Sequence, residues 1–346
     1  MEKAARARNS YWDNLKGILI LLVVCGHLCE RYIDDSGLLR HIWIVVYSFH
    51  MPLFIFVNGY FARKSTKPAA EKSLKMLKYY LLMQVLFMFG NHWIRGAEFE
   101  LAILAEPAYC CWYLIFLVYA YLFMKFLPDE KTKVVKWAAV SLVLSLLVGF
   151  DVSVGHPYGV GRTFYFLPYF FLGALWADTG REIKTDRQRK IICAVLAVLI
   201  FLVLWKLGDA EWFNRSVFSG HQSYERLYPD HRLFGLLNKA AAYAAAAVIG
   251  FLALHLVPRR RTILCFLGRH TLLIYLVHIF VLPMEFHLIR DIEFVGEKEL
   301  NSAVILLILA VTSAIICYVL SVSYRFVILN LMSKIKKREV FERRAR

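Results

Sequence analysis

Three ionisable residues, Asp13, Lys16 and His27, interrupt the first long apolar run of the chain, YWDNLKGILILLVVCGHLCE over residues 11–30. Lys16 and His27 are 11 residues apart. At ~100° per residue that is close to three helical turns, so both lie on one face, roughly 16 Å apart along the axis. A histidine titrates near neutrality and can take the proton of a hydroxyl as that oxygen attacks an acyl carbonyl. A carboxylate or carbonyl on its other ring nitrogen would fix the tautomer. Glu30, Asp34 and Asp35 all follow closely enough to serve. Ionisable groups are costly to hold inside a membrane, which makes this stripe a functional candidate.

Further groups join it. His50 stands in SFHMPLFIFVNGYF, two residues before Pro52, which would loosen a helix and free a carbonyl. His278 ends LGRHTLLIYLVH, Trp112 and Tyr113 open one apolar run, and Arg162 opens another at RTFYFLPYFFLG. Counted along their helices, His27 would lie ~18 Å from one side and His50 ~13 Å from the other, depths that nearly coincide in a core ~30 Å thick. Arg162 or Tyr113 could stabilise a developing oxyanion. Each has a plainer reading: an interhelical hydrogen bond for His50 or His278, an interfacial belt for Trp112 and Tyr113, a snorkelling cation for Arg162. No GxSxG, HExxH or P-loop motif is present, and the seven cysteines, all in apolar runs, show no metal-ligand spacing. No metal site is expected.

The elements that must position these groups are membrane helices. The 346 residues are 59% hydrophobic with mean hydropathy +0.52, and apolar runs recur along the whole length. An all-α polytopic protein follows. About ten spans are expected, near 12–32, 41–61, 74–94, 107–126, 134–150, 163–178, 189–206, 236–257, 263–286 and 301–329. No small-x-small cleavage site follows the first, so it reads as a retained signal-anchor. Net charge is +16. Assigning 1–16, 62–78, 125–136, 177–190, 257–262 and 325–346 to one face puts 30 Lys and Arg there, against 10 in the opposite loops. This split predicts cytoplasmic termini and explains the basic balance without nucleic acid. A membrane domain over 1–332 and a basic tail over 333–346, able to meet anionic headgroups of the lipid bilayer, complete the organisation. The longest outer loop, 206–235, mixes aromatic, charged and histidine residues and suits either a cap over a polar acceptor or an ordinary interfacial loop. The alanine run 240–247 suits close helix packing. On these residues alone, a secondary transporter or flippase with a histidine proton relay also fits, although no internal repeat is visible.

Four ordered segments, DNLKGILILLVVCGH (13–27), FHMPLFIFVNGYF (49–61), RTFYFLPYFFLG (162–173) and LGRHTLLIYLVH (267–278), resemble the acyltransferase-3 family of integral membrane acyltransferases, and most closely its fucose 4-O-acetylase-like branch. The resemblance implies a ten-helix bundle in a bacterial cytoplasmic membrane. It implies transfer of an acyl group, usually acetyl, from cytoplasmic acetyl-CoA to an extracytoplasmic carbohydrate or glycolipid, with no permanently bound cofactor. A basic residue and a histidine with ten residues between them are needed for activity in that family, and Lys16 and His27 match the spacing. Arg is more common at the first position, and Lys lacks its bidentate fork; Asn58 stands where Ser is common. No appended hydrolase-like domain is expected. On this reading Asp13, Lys16, Arg63, Lys64, Arg259, Arg260 and Arg261 hold the donor, Trp112, Tyr113, Arg162 and His278 meet the acceptor, and His27, with His50, Arg162 and Tyr113, carries the chemistry. His27 acts either as base in a direct transfer or as the acyl carrier in a two-step path.

Overall fold

The computed structural model describes residues 9–96, 98, 105–126, 131–153, 157–183, 186–210, 212–294 and 302–344, and every regular element among them is helical. Each of the ten expected segments carries helix. The first six are α1 (Ser10–Cys29), α2 (Gly37–Lys64), α3 (Ala69–Arg95), α4 (Cys111–Lys125), α5 (Lys131–Val148) and α6 (Val160–Thr179). After α7 (Arg187–Gly208) and the short α8 (Tyr224–Leu227) come α9 (Arg232–Leu256), α10 (Ile263–Arg269), α11 (Thr271–Phe294) and α12 (Ser302–Arg344). Helix starts follow local chemistry: Asn9 accepts the Tyr11 amide at 3.0 Å to open α1, and Asp186 accepts the Arg189 amide at 3.0 Å to open α7. Pro52 and Pro168 lie inside α2 and α6 without ending either helix.

Five of these helices are long and apolar enough to cross a membrane: α1, α2, α7, α9 and α12 as far as Val327; the count is six if α10 and α11 form one bent span. On α7, Ile191, Val195, Val198, Leu199, Leu202 and Val203 are exposed, a surface suited to lipid and not to water. The chain is a multi-pass membrane protein. The 15 residues of α4 reach only about 22 Å, short of a ~30 Å core.

Two expectations are corrected. The ninth segment, expected as one helix over 263–286, breaks at His270, and its halves diverge by 83°. His270 leaves the helical region (φ −113°), its amide closes on the Leu267 carbonyl at 2.9 Å, and its own carbonyl receives the Ile274 amide at 3.0 Å. The break therefore leaves these groups satisfied. The last helix, expected to end near 329, runs on through Arg344, so the basic segment from 333 continues it as far as that residue; 345–346 lie outside the described residues.

The chain divides into two compact units, residues 1–40 with 257–346, and residues 41–256. In the first, α1 packs on α10, α11 and α12, with Leu19, Ile20 and Val24 fully buried. The α1–α10 crossing is a backbone contact. A Cβ at Gly17 would strike the Leu264 carbonyl, and one at Gly268 the Asp13 carbonyl. Lipid offers helices little hydrophobic drive to associate, so close approach through small residues takes its place.

In the second unit α2 and α6 cross the same way, Gly59 against the Phe170 carbonyl and Gly173 against the Phe56 carbonyl. Of the alanine run, Ala242 and Ala246, one turn apart, are buried. The long segment 206–235 is built structure. A 3-10 turn (Arg215–Ser219) precedes α8, and Tyr224 is fully buried. The Tyr224 hydroxyl donates to the Leu146 carbonyl at 2.8 Å, its amide donates to the Gly149 carbonyl at 2.6 Å, and its ring occupies the space that the absent side chains of Gly149 and Gly235 leave. Lys239, buried on α9, donates to the Ser145 carbonyl at 2.6 Å and lies 5.6 and 5.7 Å from the Tyr165 and Tyr224 ring centroids. A buried ammonium with aromatic faces beside it is stabilised by their quadrupoles.

Candidate active site

Helix α1 carries the stripe of candidate residues. His27 sits in its last turn, where Nδ1 lies 3.2 Å from Glu30 Oε2. With the Nδ1 proton donated to the carboxylate, Nε2 is left as the basic nitrogen, and the carboxylate stabilises the imidazolium that forms when Nε2 takes a proton. Glu30 reaches His27 because the first turn past the helix end folds it back at i+3. The His27 side chain is 26% exposed, so a small substrate can reach it.

His278 on α11 stacks on His27, ring centroids 5.5 Å apart and planes 28° off parallel. Its Nδ1 donates to the carbonyls of Tyr275 and Ile274 at 2.7 and 3.1 Å, which makes buried Nε2 the acceptor. That Nε2 meets no hydrogen-bond partner among the described residues. Two histidines expected from distant sequence therefore share one site within the first unit.

Toward the other end of α1, Asp13 is buried and pairs with Lys16 at 2.9 Å and with Arg269 of α10 at 3.4 Å. Asp13 and Lys16 are thus joined, and Arg269, whose charge inside LGRHT sequence reasoning passed over, completes the group. Arg259, Arg260 and Arg261 are exposed on the turn before α10, with the Arg259 guanidinium 5.9 Å from the centroid of the Tyr11 ring.

The other expected residues lie in the second unit. His50 donates from Nδ1 to the Val46 carbonyl at 2.7 Å and meets Tyr47 edge-on at 4.9 Å. Arg162 and Trp112 are brought together, the guanidinium 5.1 Å from the indole centroid, and Arg162 Nε donates to the Ser219 carbonyl at 3.1 Å. The Tyr113 hydroxyl accepts from Asn58 Nδ2 at 2.6 Å. Asn58 also donates to the Phe54 carbonyl at 2.8 Å, so its amide reaches both oxygens from one position. Arg63 is held by Asp178 at 2.8 Å and Lys64 by the Tyr60 hydroxyl at 2.6 Å. Sequence reasoning also missed the His41 contact with Asp209 (2.8 Å) and its stack on Trp205 (4.3 Å), residues too far apart in sequence to suggest each other.

Comparison with known proteins agrees with the membrane architecture. The family model described as an acyltransferase domain matches residues 9–322. Nodulation protein NolL of Sinorhizobium fredii (strain NBRC 101917 / NGR234) is 27% identical over 295 residues, 79% of this chain and 78% of that protein. Nodulation protein NolL of Mesorhizobium japonicum (strain LMG 29417 / CECT 9101 / MAFF 303099) is 38% identical over 79 residues, 20% of this chain and 21% of that protein. No solved structure matches significantly. With the family match spanning nearly all of the chain, from the start of α1 into α12, this protein belongs to the acyltransferase-3 family and is a membrane acyltransferase.

Proposed function

We propose that this acyltransferase moves an acetyl or other short acyl group from cytoplasmic acyl-CoA to a hydroxyl of an extracytoplasmic glycan or glycolipid, with His27 at the centre of the chemistry. The observation that carries the reading is the His27–Glu30 pair, 3.2 Å apart on a helix end that leaves the imidazole reachable. His27 Nε2 takes the acceptor hydroxyl proton as that oxygen attacks the thioester carbonyl, and CoA leaves as its thiol. In the two-step variant the same nitrogen holds the acyl group between donor and acceptor.

Lys16 and the cations near it serve the anionic end of the donor, with Asp13 holding Lys16 and Arg269 in place. On the second unit, the Arg162–Trp112 pair has the aromatic and hydrogen-bonding character that sugars need. The charge asymmetry of the chain supports cytoplasmic termini, and the resemblance to the family implies ten spans in a bacterial inner membrane. Both relatives are named as nodulation proteins, and a nodulation-type oligosaccharide is one acceptor of the proposed class.

The test is titration of acetyl-CoA into the purified protein in nanodiscs, following binding and the release of free CoA. Wild type is expected to bind and slowly release CoA, His27→Ala to bind without release, and Lys16→Ala to bind weakly. A wild-type protein that neither binds nor turns over any short acyl-CoA overturns the donor assignment.

A further inference from the structure

Between Asp13 and Lys16 lies Asn14, fully buried, with the hydrogen-bonding capacity of its side-chain amide filled. Nδ2 donates to the carbonyls of Pro258 and Arg260 at 2.7 and 2.8 Å. Oδ1 accepts from the Thr262 hydroxyl at 2.6 Å and from the Cys265 thiol at 3.0 Å. Three of these four partners belong to the turn VPRRRT (257–262), and the Thr262 hydroxyl also accepts the Leu264 amide at 3.2 Å at the start of α10.

Three consecutive arginines repel one another, and an unrestrained turn would spread them into solvent. Here the carbonyls on either side of Arg259 are both tied to Asn14, and the Arg259 guanidinium lies over buried Tyr11, three residues earlier on α1. An apolar residue would join α1 to α10 as well. A saturated buried amide does something narrower, because it admits a single conformation of the turn it binds. That conformation is fixed from the helix that also carries Lys16.

We propose that Asn14 is a positioning residue for the acyl donor: through its four hydrogen bonds it holds Arg259, Arg260 and Arg261 on α1 as a preformed phosphate-binding turn in the same unit as Lys16. This rests on the donor reading above and adds to it the group that shapes the turn. Preorganisation matters because side chains already ordered lose little freedom when an anion binds.

The experiment compares acetyl-CoA with acetyl-pantetheine, which keeps the thioester and the pantetheine arm but lacks the nucleotide phosphates. Release of free thiol gives kcat/KM for each in wild type, Asn14→Leu, Thr262→Val, R259Q/R260Q/R261Q and the combination of Asn14→Leu with the arginine triple. The expected result is a fall in the acetyl-CoA over acetyl-pantetheine ratio of about tenfold for Asn14→Leu, or ~1.4 kcal/mol. A smaller fall in the same direction is expected for Thr262→Val, and Asn14→Leu should lower the ratio no further in the arginine-triple background. Equal losses on both donors, or a ratio that stays at the wild-type value in both Asn14→Leu and Thr262→Val, overturn the proposal while leaving the donor reading intact. Should Asn14→Leu not fold, Thr262→Val alone decides between these results. A wild type that turns over neither donor overturns the donor reading, and this proposal with it.

Discussion

At the scale of single residues, what distinguishes His27 from His50 and His278 is its partner. His50 and His278 spend Nδ1 on carbonyls of their own helices, whereas His27 meets a carboxylate. A carboxylate can offset the positive charge an imidazole acquires as a base, and a carbonyl dipole does so less strongly. His27→Ala should lower turnover by about 10²–10⁴-fold, the usual worth of a positioned base, while calorimetric titration still shows acyl-CoA binding. Glu30→Gln keeps a hydrogen-bond acceptor beside Nδ1 but removes the charge. Its kcat should fall, by less than for His27→Ala, with donor affinity unchanged. A Glu30→Gln enzyme as fast as wild type would assign the orienting role elsewhere. Glu30 could not be singled out from Asp34 and Asp35 by position alone, because three carboxylates close together are equivalent until the end of α1 fixes which one turns back.

At the scale of elements, glycine-mediated helix crossings and one buried tyrosine carry the architecture. Gly17 and Gly268 bring α1 and α10 to backbone contact, which in turn places the turn 257–262 against Asn14. Gly17→Leu forces these backbones apart and should destabilise the protein by about 1–3 kcal/mol or more, read as an earlier thermal transition in detergent. Tyr224 separates two contributions to the long segment before α9. Tyr224→Phe loses the bond to the Leu146 carbonyl and should cost about 1 kcal/mol, whereas Tyr224→Ala also empties the space beside Gly149 and Gly235 and should cost ~3–5 kcal/mol. Similar losses from both would mean that the ring packs less tightly than its burial indicates. None of this was visible in the loop's mixed composition, which suited a cap and an ordinary interfacial loop equally well.

At the scale of the whole molecule, the charge distribution leads to a topology test. With 30 Lys and Arg on one set of segments and 10 on the other, a C-terminal tag should be reached by a membrane-impermeant reagent only after the cells are opened. A cysteine introduced as Ser216→Cys in the segment before α9 should react in intact cells. The reverse pattern would invert the direction of transfer proposed above. Where the helices lie, that they are membrane helices, and that Lys16 and His27 share a helix were legible in the chain alone, since apolar run length and helical period are local properties. The resemblance to the acyltransferase-3 family was legible too, in four short ordered motifs. Which residues answer to which was decided only by tertiary structure. Asn14 finds its partners 244 to 251 positions away, His278 stacks on His27 from another helix, and the ninth segment turns by 83° at His270. A hydrogen bond or a ring stack depends on how helices cross, and the crossings are set by close contacts such as those at Gly17 and Gly268, whose partners no local pattern names.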